Sequence, residues 1–254
     1  MAHTPYKAVF FDLDGTILPM DMDAFIQKYL AAVSRFVASS GLDVDMFTQG
    51  LNLGIKAMAS HDDGRSNEDV FWEAFFTAAP QDRGSWRTVL EIFYGNEFGA
   101  IGEGIAADPC AAESLGILRD KGYPLVLATM PMFPRQAAEW RLAWAGVDPG
   151  AFCRITSYEN STSIKPKLAY YEENLKAGGL KPQEVLMVGN NTRDDLECLK
   201  LGMDAYLVTD FLLDPDGFDI AAVRHGSFQD FTDWVKGLPP CTGPASFETG
   251  LISR

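Results

Sequence analysis

Histidine and cysteine are scarce in this sequence, and the few that occur form no pattern typical of a catalytic or metal site. The three histidines, His3, His61 and His225, lie outside any metal-ligand or triad spacing. The four cysteines are more than forty residues apart and form no Cys-x-x-Cys pair. The sequence therefore gives no support to a zinc hydrolase, a serine hydrolase or a small disulfide-rich fold, and we expect reduced thiols.

Basic residues are also few. Lysine and arginine total 21 against 35 aspartates and glutamates, which gives a formal net charge of -14. A surface of this sign repels nucleic acid and anionic membranes, and we expect neither as a partner. A small phosphorylated metabolite remains compatible with the charge, because a bound cation or a few basic side chains can reverse the field locally.

Long hydrophobic runs are missing as well. The uncharged stretch 123–134 is too short to span a bilayer, and the apolar run 8–11 is far shorter than the core of a secretory signal. We therefore expect a cytoplasmic protein. With 254 residues, 47% of them hydrophobic, the chain can form one large domain or a core with an insertion.

Five short apolar runs, each followed by a polar or glycine break, predict the parallel strands of an α/β protein. They lie at residues 7–11, 124–128, 154–156, 185–188 and 205–208. The periodicity between them predicts helices at 111–121, 135–145, 167–177 and 194–201. The fold class is therefore α/β, with a parallel sheet at its core.

The first two predicted strands are separated by more than a hundred residues, although a strand-helix-strand unit needs only about thirty. The region 21–98 keeps a helical apolar period throughout, which predicts a small inserted four-helix unit whose aromatic residues form its core. We divide the chain into an α/β core at 1–18 and 101–237, a helical insertion at 19–100, and a flexible tail at 238–254.

Two carboxylates follow the first predicted strand in Asp12-Leu13-Asp14-Gly15-Thr16. Alternation places Asp12 and Asp14 on one side of the strand tip, at the sheet edge where open α/β proteins bind ligands. At about 4 Å and an effective dielectric near 20, their repulsion is roughly 4 kcal/mol, so a cation, a shared proton or a splayed geometry must relieve it. The alternative is an Asp-Gly turn with solvated carboxylates.

Other polar residues follow later strands. Thr129 ends the second strand, where its hydroxyl and the Met130 amide could meet an anion, although threonine also ends strands for ordinary capping reasons. Lys165 precedes a proline and a predicted helix start. A positive charge there is unfavourable with the helix dipole unless an anion lies nearby, so the position indicates a phosphate site. The alternative is an exposed loop lysine.

The fourth strand runs into Gly189-Asn190-Asn191, followed by the acids Asp194 and Asp195. Oxygen ligands of this kind suit Mg²⁺, whereas an Asx turn before an acidic first helical turn would explain them without a metal. All of these residues are predicted at the carboxyl ends of strands, where they can converge on one crevice.

In this order the residues resemble the four motifs of the haloacid dehalogenase-like (HAD) superfamily, in its phosphatase branch. The first motif, D-x-D-G-T at 12–16, is highly specific, and the resemblance spans residues 7–208. It implies a Rossmann-like sheet with strand order 5-4-1-2-3, and the helical insertion is similar to the cap domain that family members carry after the first motif.

The resemblance implies a Mg²⁺-dependent phosphatase that hydrolyses a small phosphomonoester. Asp12 would attack phosphorus to give an aspartyl phosphate, and Asp14 would protonate the leaving oxygen and then activate water. Thr129, Met130 and Lys165 would bind the phosphate group.

The implied metal ligands are Asp12, the Asp14 carbonyl and the fourth-motif loop. This chain has Asn190 where the family usually has aspartate, which predicts weaker Mg²⁺ affinity. The register of this motif is ambiguous, because the pair Asn190 and Asp194 and the pair Asn191 and Asp195 both have the four-residue separation. We favour Asn190 as a ligand with Asp195 nearby, because Asp195 leads the apolar face of the next helix.

Two other activities fit the same motifs. One is a phosphomutase, which retains the aspartyl phosphate, and the other is a phosphate-binding regulatory protein with weakened catalysis. Dehalogenation is disfavoured, because a halide needs no proton from Asp14. Substrate specificity would come from the insertion or from the segment around Arg135, itself expected to be a surface arginine. The sequence assigns no oligomeric state.

Overall fold

The computed structural model describes residues 6–80 and 83–247, and its centre is a six-stranded parallel sheet. The strand order is β3-β2-β1-β4-β5-β6. The strands are β1 (Ala8–Phe11), β2 (Leu125–Leu127), β3 (Arg154–Ile155), β4 (Val185–Gly189), β5 (Asp204–Val208) and β6 (Arg224–Gly226). The predicted α/β class and the order 5-4-1-2-3 are confirmed.

The strands β1, β2 and β4 are buried on both faces, as their uninterrupted apolar sequences predict. Val9 pairs with Leu125 on one side and with Leu186 on the other, which places β1 at the centre of the sheet. The edge strand β6 was not predicted. Its sequence Arg-His-Gly is largely exposed and carries no apolar run, so periodicity could not detect it.

Four helices cover the sheet. They are α5 (Pro109–Asp120), α6 (Arg135–Trp144), α7 (Leu168–Ala177) and α8 (Phe228–Lys236). The first three agree with the predicted helices to within about two residues. The predicted helix at 194–201 is instead a short 3₁₀ helix, Leu196–Leu201, and α8 was not predicted.

A helical insertion connects β1 to α5. It contains α1 (Met22–Ser39), α2 (Val44–Ser60), α3 (Asn67–Ala78) and α4 (Arg83–Ile92), followed by a π-helical turn, Phe93–Glu97, and a 3₁₀ turn, Phe98–Gly102. Asp21, Asp43 and Ser66 cap α1, α2 and α3 through their side-chain oxygens. The four helices match the predicted four-helix unit.

Aromatic rings join the insertion to the α/β core. Phe98 stacks on Trp144 with ring centroids 5.5 Å apart, and Tyr29 meets the edge of Phe133 at 5.2 Å. A polar contact supports this boundary: the buried Asn67 amide donates to the carbonyls of Pro131 and Ser163, both at 3.1 Å. The aromatic stripes of the sequence therefore form a core that the two parts share.

The C-terminal segment 238–247 lies against the α/β core. The Lys121 carbonyl accepts from the Cys241 amide at 2.7 Å, and the Lys7 carbonyl accepts from the Ala245 amide at 3.1 Å. The predicted tail flexibility and the division into core and insertion stay predictions, and residues 248–254 lie outside the described part. Within the described ranges, no helix has the length and apolar character needed to cross a membrane.

Candidate active site

The predicted site residues meet at the carboxyl ends of β1, β2 and β4. Phe11, the last residue of β1, pairs with Leu127 of β2 and with Val188 of β4. Asp12, Thr129 and Asn190 follow these strands and are therefore brought to one edge of the sheet. The parallel topology makes this convergence unavoidable once the strand order is set.

Lys165 is the cation at the centre of this cluster. Its ammonium donates to Asp12 Oδ1 and to Asp195 Oδ1, both at 2.7 Å, and its side chain is 1% exposed. Burial alone would lower the pKa of Lys165, but the Asp12 and Asp195 carboxylates hold that pKa well above its ordinary value. Lys165 is therefore a buried ammonium group and not the exposed loop lysine of the alternative interpretation.

Asp195 is fully engaged beneath the site. Oδ1 accepts from Lys165, and Oδ2 accepts from the Asn191 amide at 2.9 Å. Burial raises the pKa of Asp195 to about 7, with Lys165 opposing the rise and Asp12 adding to it. A Cβ atom on Gly189 would lie 2.2 Å from Asp195 Oδ2, so this position requires glycine.

Asn190 is held between two loops. Its Oδ1 accepts from the Thr16 hydroxyl at 3.1 Å, and its Nδ2 donates to the Phe211 carbonyl at 2.6 Å. Gly15 has φ +81°, and a Cβ there would lie 2.3 Å from Asn190 Nδ2. The glycine of the first motif thus provides both the turn and the space for this amide.

Asp194 lies beside Asp195 but is more accessible. Its carboxylate accepts from Asn191 Nδ2 at 3.1 Å, and Tyr171 donates to its backbone carbonyl. Burial raises the pKa of Asp194, Lys165 opposes that rise and Asp12 adds to it. The charges of Asp12 and Asp194 therefore act on each other.

The Thr129 hydroxyl is an unused buried donor. Thr129 is 1% exposed, and its Oγ1 has no hydrogen-bond partner among the residues described here. Its carbonyl is fixed by the Thr156 hydroxyl at 2.8 Å and the Tyr170 hydroxyl at 2.9 Å. Because a buried polar atom without a partner is costly, a ligand oxygen that accepted from this hydroxyl would be favourable. Met130 follows it and is half-buried.

Asp14 forms an ion pair that the sequence analysis missed. Arg141 of α6 donates to Asp14 Oδ2, and the two side chains are 2% and 7% exposed. Burial raises the pKa of Asp14 to about 6, Arg141 opposes the rise, and Asp12 adds to it. Within the described ranges, Asp14 Oδ1 and Arg141 Nη2 are both buried without a partner.

The position of Arg141 in the sequence could have indicated that it has a buried partner. Arg141 is four residues after Ala137 and three after Ala138, both buried, so it lies on the apolar face of α6. A charged residue on such a face usually has a buried partner. Arg135, the arginine named in the sequence analysis, instead pairs with Glu139 at 2.7 Å and is 41% exposed.

The residues present fit a divalent cation. The four carboxylates Asp12, Asp14, Asp194 and Asp195 face Lys165 and Arg141, and Arg193 also acts on Asp194. Carboxylates therefore outnumber the cations around them. Carboxylate, amide and carbonyl oxygens are the ligands that Mg²⁺ prefers. The described part of the chain contains no group of three His, Cys, Asp or Glu side chains arranged around a metal position. A cation here would therefore also need amide or main-chain oxygens.

A comparison with known families decides the classification. A model of the haloacid dehalogenase-like hydrolases matches residues 6–201. The chain belongs to this family. The protein is therefore an enzyme, a hydrolase of the haloacid dehalogenase-like type, as the resemblance of its motifs implies. No curated protein matches the chain.

Solved structures show that the HAD-like fold extends over nearly the whole chain. A HAD phosphatase from Thermococcus onnurineus is 22% identical, with a TM-score of 0.56 over 92% of this chain and 99% of that one. The L-2-haloacid dehalogenase from Xanthobacter autotrophicus, with chloropropionic acid covalently bound, is 16% identical, with a TM-score of 0.54 over 92% and 99%. The HAD-hydrolase YfnB from Bacillus subtilis, bound to magnesium, is 16% identical, with a TM-score of 0.54 over 92% and 100%.

Proposed function

We propose that the protein is a Mg²⁺-dependent phosphatase that hydrolyses a phosphomonoester of a small metabolite through an aspartyl phosphate on Asp12. The observation that carries the proposal is the arrangement around Asp12. Lys165 binds one oxygen of its carboxylate at 2.7 Å, and the unpartnered Thr129 hydroxyl follows the adjacent strand. A nucleophile and phosphate-binding donors thus share one edge of the sheet.

Each step of the proposed reaction uses groups of this cluster. Asp12 attacks phosphorus, and the bond from phosphorus to the leaving oxygen breaks while Asp14 gives that oxygen a proton. Asp14 then takes a proton from water, which attacks the aspartyl phosphate and releases phosphate and free Asp12. Thr129, the Met130 amide and Lys165 donate to the phosphoryl oxygens and stabilise their developing charge.

We propose that Asp12, the Asp14 carbonyl and the Asn190 amide oxygen contribute ligands to Mg²⁺. When bound, the cation would offset the repulsion between the carboxylates and the incoming phosphate. The fourth-motif acid is the remaining ligand. Asp195 is the acid that the sequence favours, but both of its oxygens are engaged, one by Lys165 and the other by the Asn191 amide. These contacts favour the more accessible Asp194.

The presence of Asp14 supports phosphatase over dehalogenase chemistry. Structural neighbours of the chain include both kinds of enzyme. An alcohol leaving group needs a proton, whereas a halide leaves as a stable anion. Asp14 is buried near enough to Asp12 for the two charges to interact. A raised pKa favours the protonated acid that phosphomonoester cleavage requires.

The test compares phosphate release from p-nitrophenyl phosphate with chloride release from 2-chloropropionate, with Mg²⁺ and with EDTA. We expect only phosphate release, its loss in EDTA, and a decrease of at least about 1,000-fold in Asp12→Asn, as for loss of a covalent nucleophile. The exposed Asp23→Asn variant is the matched control. Undiminished turnover by Asp12→Asn, or chloride as the main product, would refute the proposal.

We also propose a cytoplasmic location. Cys110, Cys153, Cys198 and Cys241 are all free, which fits a reducing compartment. Disulfide bonds formed by these cysteines in the protein purified from cells would contradict a cytoplasmic location.

A further inference from the structure

A cavity of about 850 Å³ lies between the helical insertion and the α/β core. Its volume is within the range of pockets that bind small organic molecules. Helices α1 to α4 form one side, and the segments after β2 and β3 form the other. Most of its lining residues are apolar or aromatic, and the aromatic ones are Tyr29, Phe47, Phe71, Trp72, Tyr94, Phe133 and Tyr158.

The polar groups of the cavity disfavour an anionic ligand. The Tyr29 and Tyr94 hydroxyls hydrogen-bond each other at 2.7 Å. At the rim, Arg87 pairs with Glu68 at 3.5 Å and lies over the Trp72 ring at 4.5 Å. These contacts partly neutralise the rim charges. Asn52, Gln136, Glu91 and Glu159 also line the cavity. Three glutamates against one arginine disfavour a second anion, and the largely apolar wall suits a hydrophobic group.

One buried donor in the cavity lacks a partner of ideal geometry. Trp72 is 5% exposed, and its indole N–H interacts with the Tyr158 hydroxyl without reaching normal hydrogen-bond geometry. An oxygen on an otherwise apolar ligand would be a further partner for this N–H.

The cavity is adjacent to the Asp14 side of the candidate active site. Phe133 forms part of the cavity wall, and the Arg141 guanidinium lies 5.0 Å from the centre of its ring. The same guanidinium contacts Asp14, the proposed proton donor to the leaving oxygen. In sequence, the wall residues Met132 and Phe133 follow Thr129 and Met130. Phe133 and Arg141 thus connect the cavity wall to the acid that serves the leaving group.

We infer that this cavity binds the leaving group of the substrate, and that the substrate is a phosphomonoester of a bulky apolar alcohol, such as an aromatic one. This inference rests on the proposed phosphatase function and names the substrate class. Such a substrate should be preferred to one with a small, highly hydroxylated leaving group, because most of the wall offers hydroxyls no partner.

Two residues of α2 provide a matched test. Ile55 lines the cavity and Leu53 is not among its lining residues, yet both are 39% exposed. Ile55→Trp should fill the cavity mouth, whereas Leu53→Trp places the same side chain outside it. Urea unfolding would verify that both variants fold.

Calorimetry with 1-naphthol tests binding without catalysis. We expect wild type and Leu53→Trp to bind 1-naphthol with equal affinity, and Ile55→Trp to bind it at least about tenfold more weakly. A hot-spot contact typically contributes more than a tenfold difference in affinity. Equal affinities in the two variants, or no binding by wild type, would overturn the inference and leave the proposed phosphatase function intact.

Turnover tests whether the bound group is the leaving group. The ratio of kcat/KM for 1-naphthyl phosphate to that for methyl phosphate should decrease at least about tenfold in Ile55→Trp and stay constant in Leu53→Trp. An unchanged ratio in Ile55→Trp would overturn the leaving-group assignment. If naphthol binds but neither ester releases phosphate, the proposed function fails, and the substrate assignment fails with it.

Discussion

Arg141 and Asp14 form a buried ion pair that joins helix α6 to the turn after β1. The guanidinium also lies over the Phe133 ring, so one side chain connects the first-motif acid to the boundary with the helical insertion. Removing one partner of a buried ion pair leaves the other charge uncompensated. The pair therefore affects both the stability of the fold and the position of Asp14.

Arg141→Met should lower the free energy of unfolding by about 3 kcal/mol at neutral pH, because the buried Asp14 carboxylate loses its partner. Urea unfolding measures this change. Arg135→Met is the control on the same helix, and the loss of its exposed pair with Glu139 should cost less than about 1 kcal/mol. Asp14→Asn should restore most of the stability lost in Arg141→Met. Equal destabilisation by the two arginine substitutions would contradict the assignment.

The pKa of Asp14 predicts how stability changes with pH. It rises from 3.8 to about 6 in the folded protein. The folded state therefore holds this proton more tightly, and stability decreases as pH rises from about 4 to about 6. The loss is about 3 kcal/mol relative to Asp14→Asn, which lacks this titration. Urea unfolding of both proteins in EDTA would measure the difference, and parallel stability curves would disprove the effect.

Thr129→Val should separate phosphate binding from stability. Valine keeps the shape of the side chain and removes a hydroxyl that has no partner among the described residues. We expect the free energy of unfolding to be unchanged or to rise by up to about 1 kcal/mol, because no protein hydrogen bond is lost and a buried hydroxyl without a partner is removed. A lost hydrogen bond to a charged phosphate should lower kcat/KM by about 10- to 100-fold. Thr129→Ser keeps the hydroxyl and should retain activity; full activity in Thr129→Val would contradict the role.

Asp194→Asn and Asp195→Asn should have different effects. If Asp194 is the metal ligand, Asp194→Asn raises the Mg²⁺ concentration needed for half-maximal activity by at least about tenfold. Asp195→Asn removes a carboxylate that holds Lys165 and the Asn191 amide, so it should mainly lower stability. Magnesium titrations of activity and urea unfolding of both variants distinguish the roles. Equal small changes in both variants would exclude either acid as the ligand.

The sequence was sufficient to predict five of the six strands of the sheet and the convergence of the motifs at one edge. Continuous apolar runs identified five strands, and parallel topology placed Asp12, Thr129 and Asn190 at one edge. The polar edge strand β6 and helix α8 escaped detection. The helical period identified four inserted helices, because their buried faces repeat at the same spacing.

Side-chain partners could not be predicted in the same way. The ion pair of Asp14 with Arg141 joins residues 127 positions apart, and no local pattern encodes such a contact. The role of Asp195 was also hidden, because sequence spacing does not tell whether a carboxylate faces a cation site or a buried lysine. Both depend on how α6 and the 189–195 loop pack against the sheet.

Mass spectrometry of the acid-quenched reaction with a phosphomonoester and Mg²⁺ tests the central claim most directly. We predict one added phosphoryl group on the peptide that contains Asp12, and none on that peptide in Asp12→Asn. An unmodified Asp12 peptide during active turnover, or a phosphoryl group on another residue, would contradict the account.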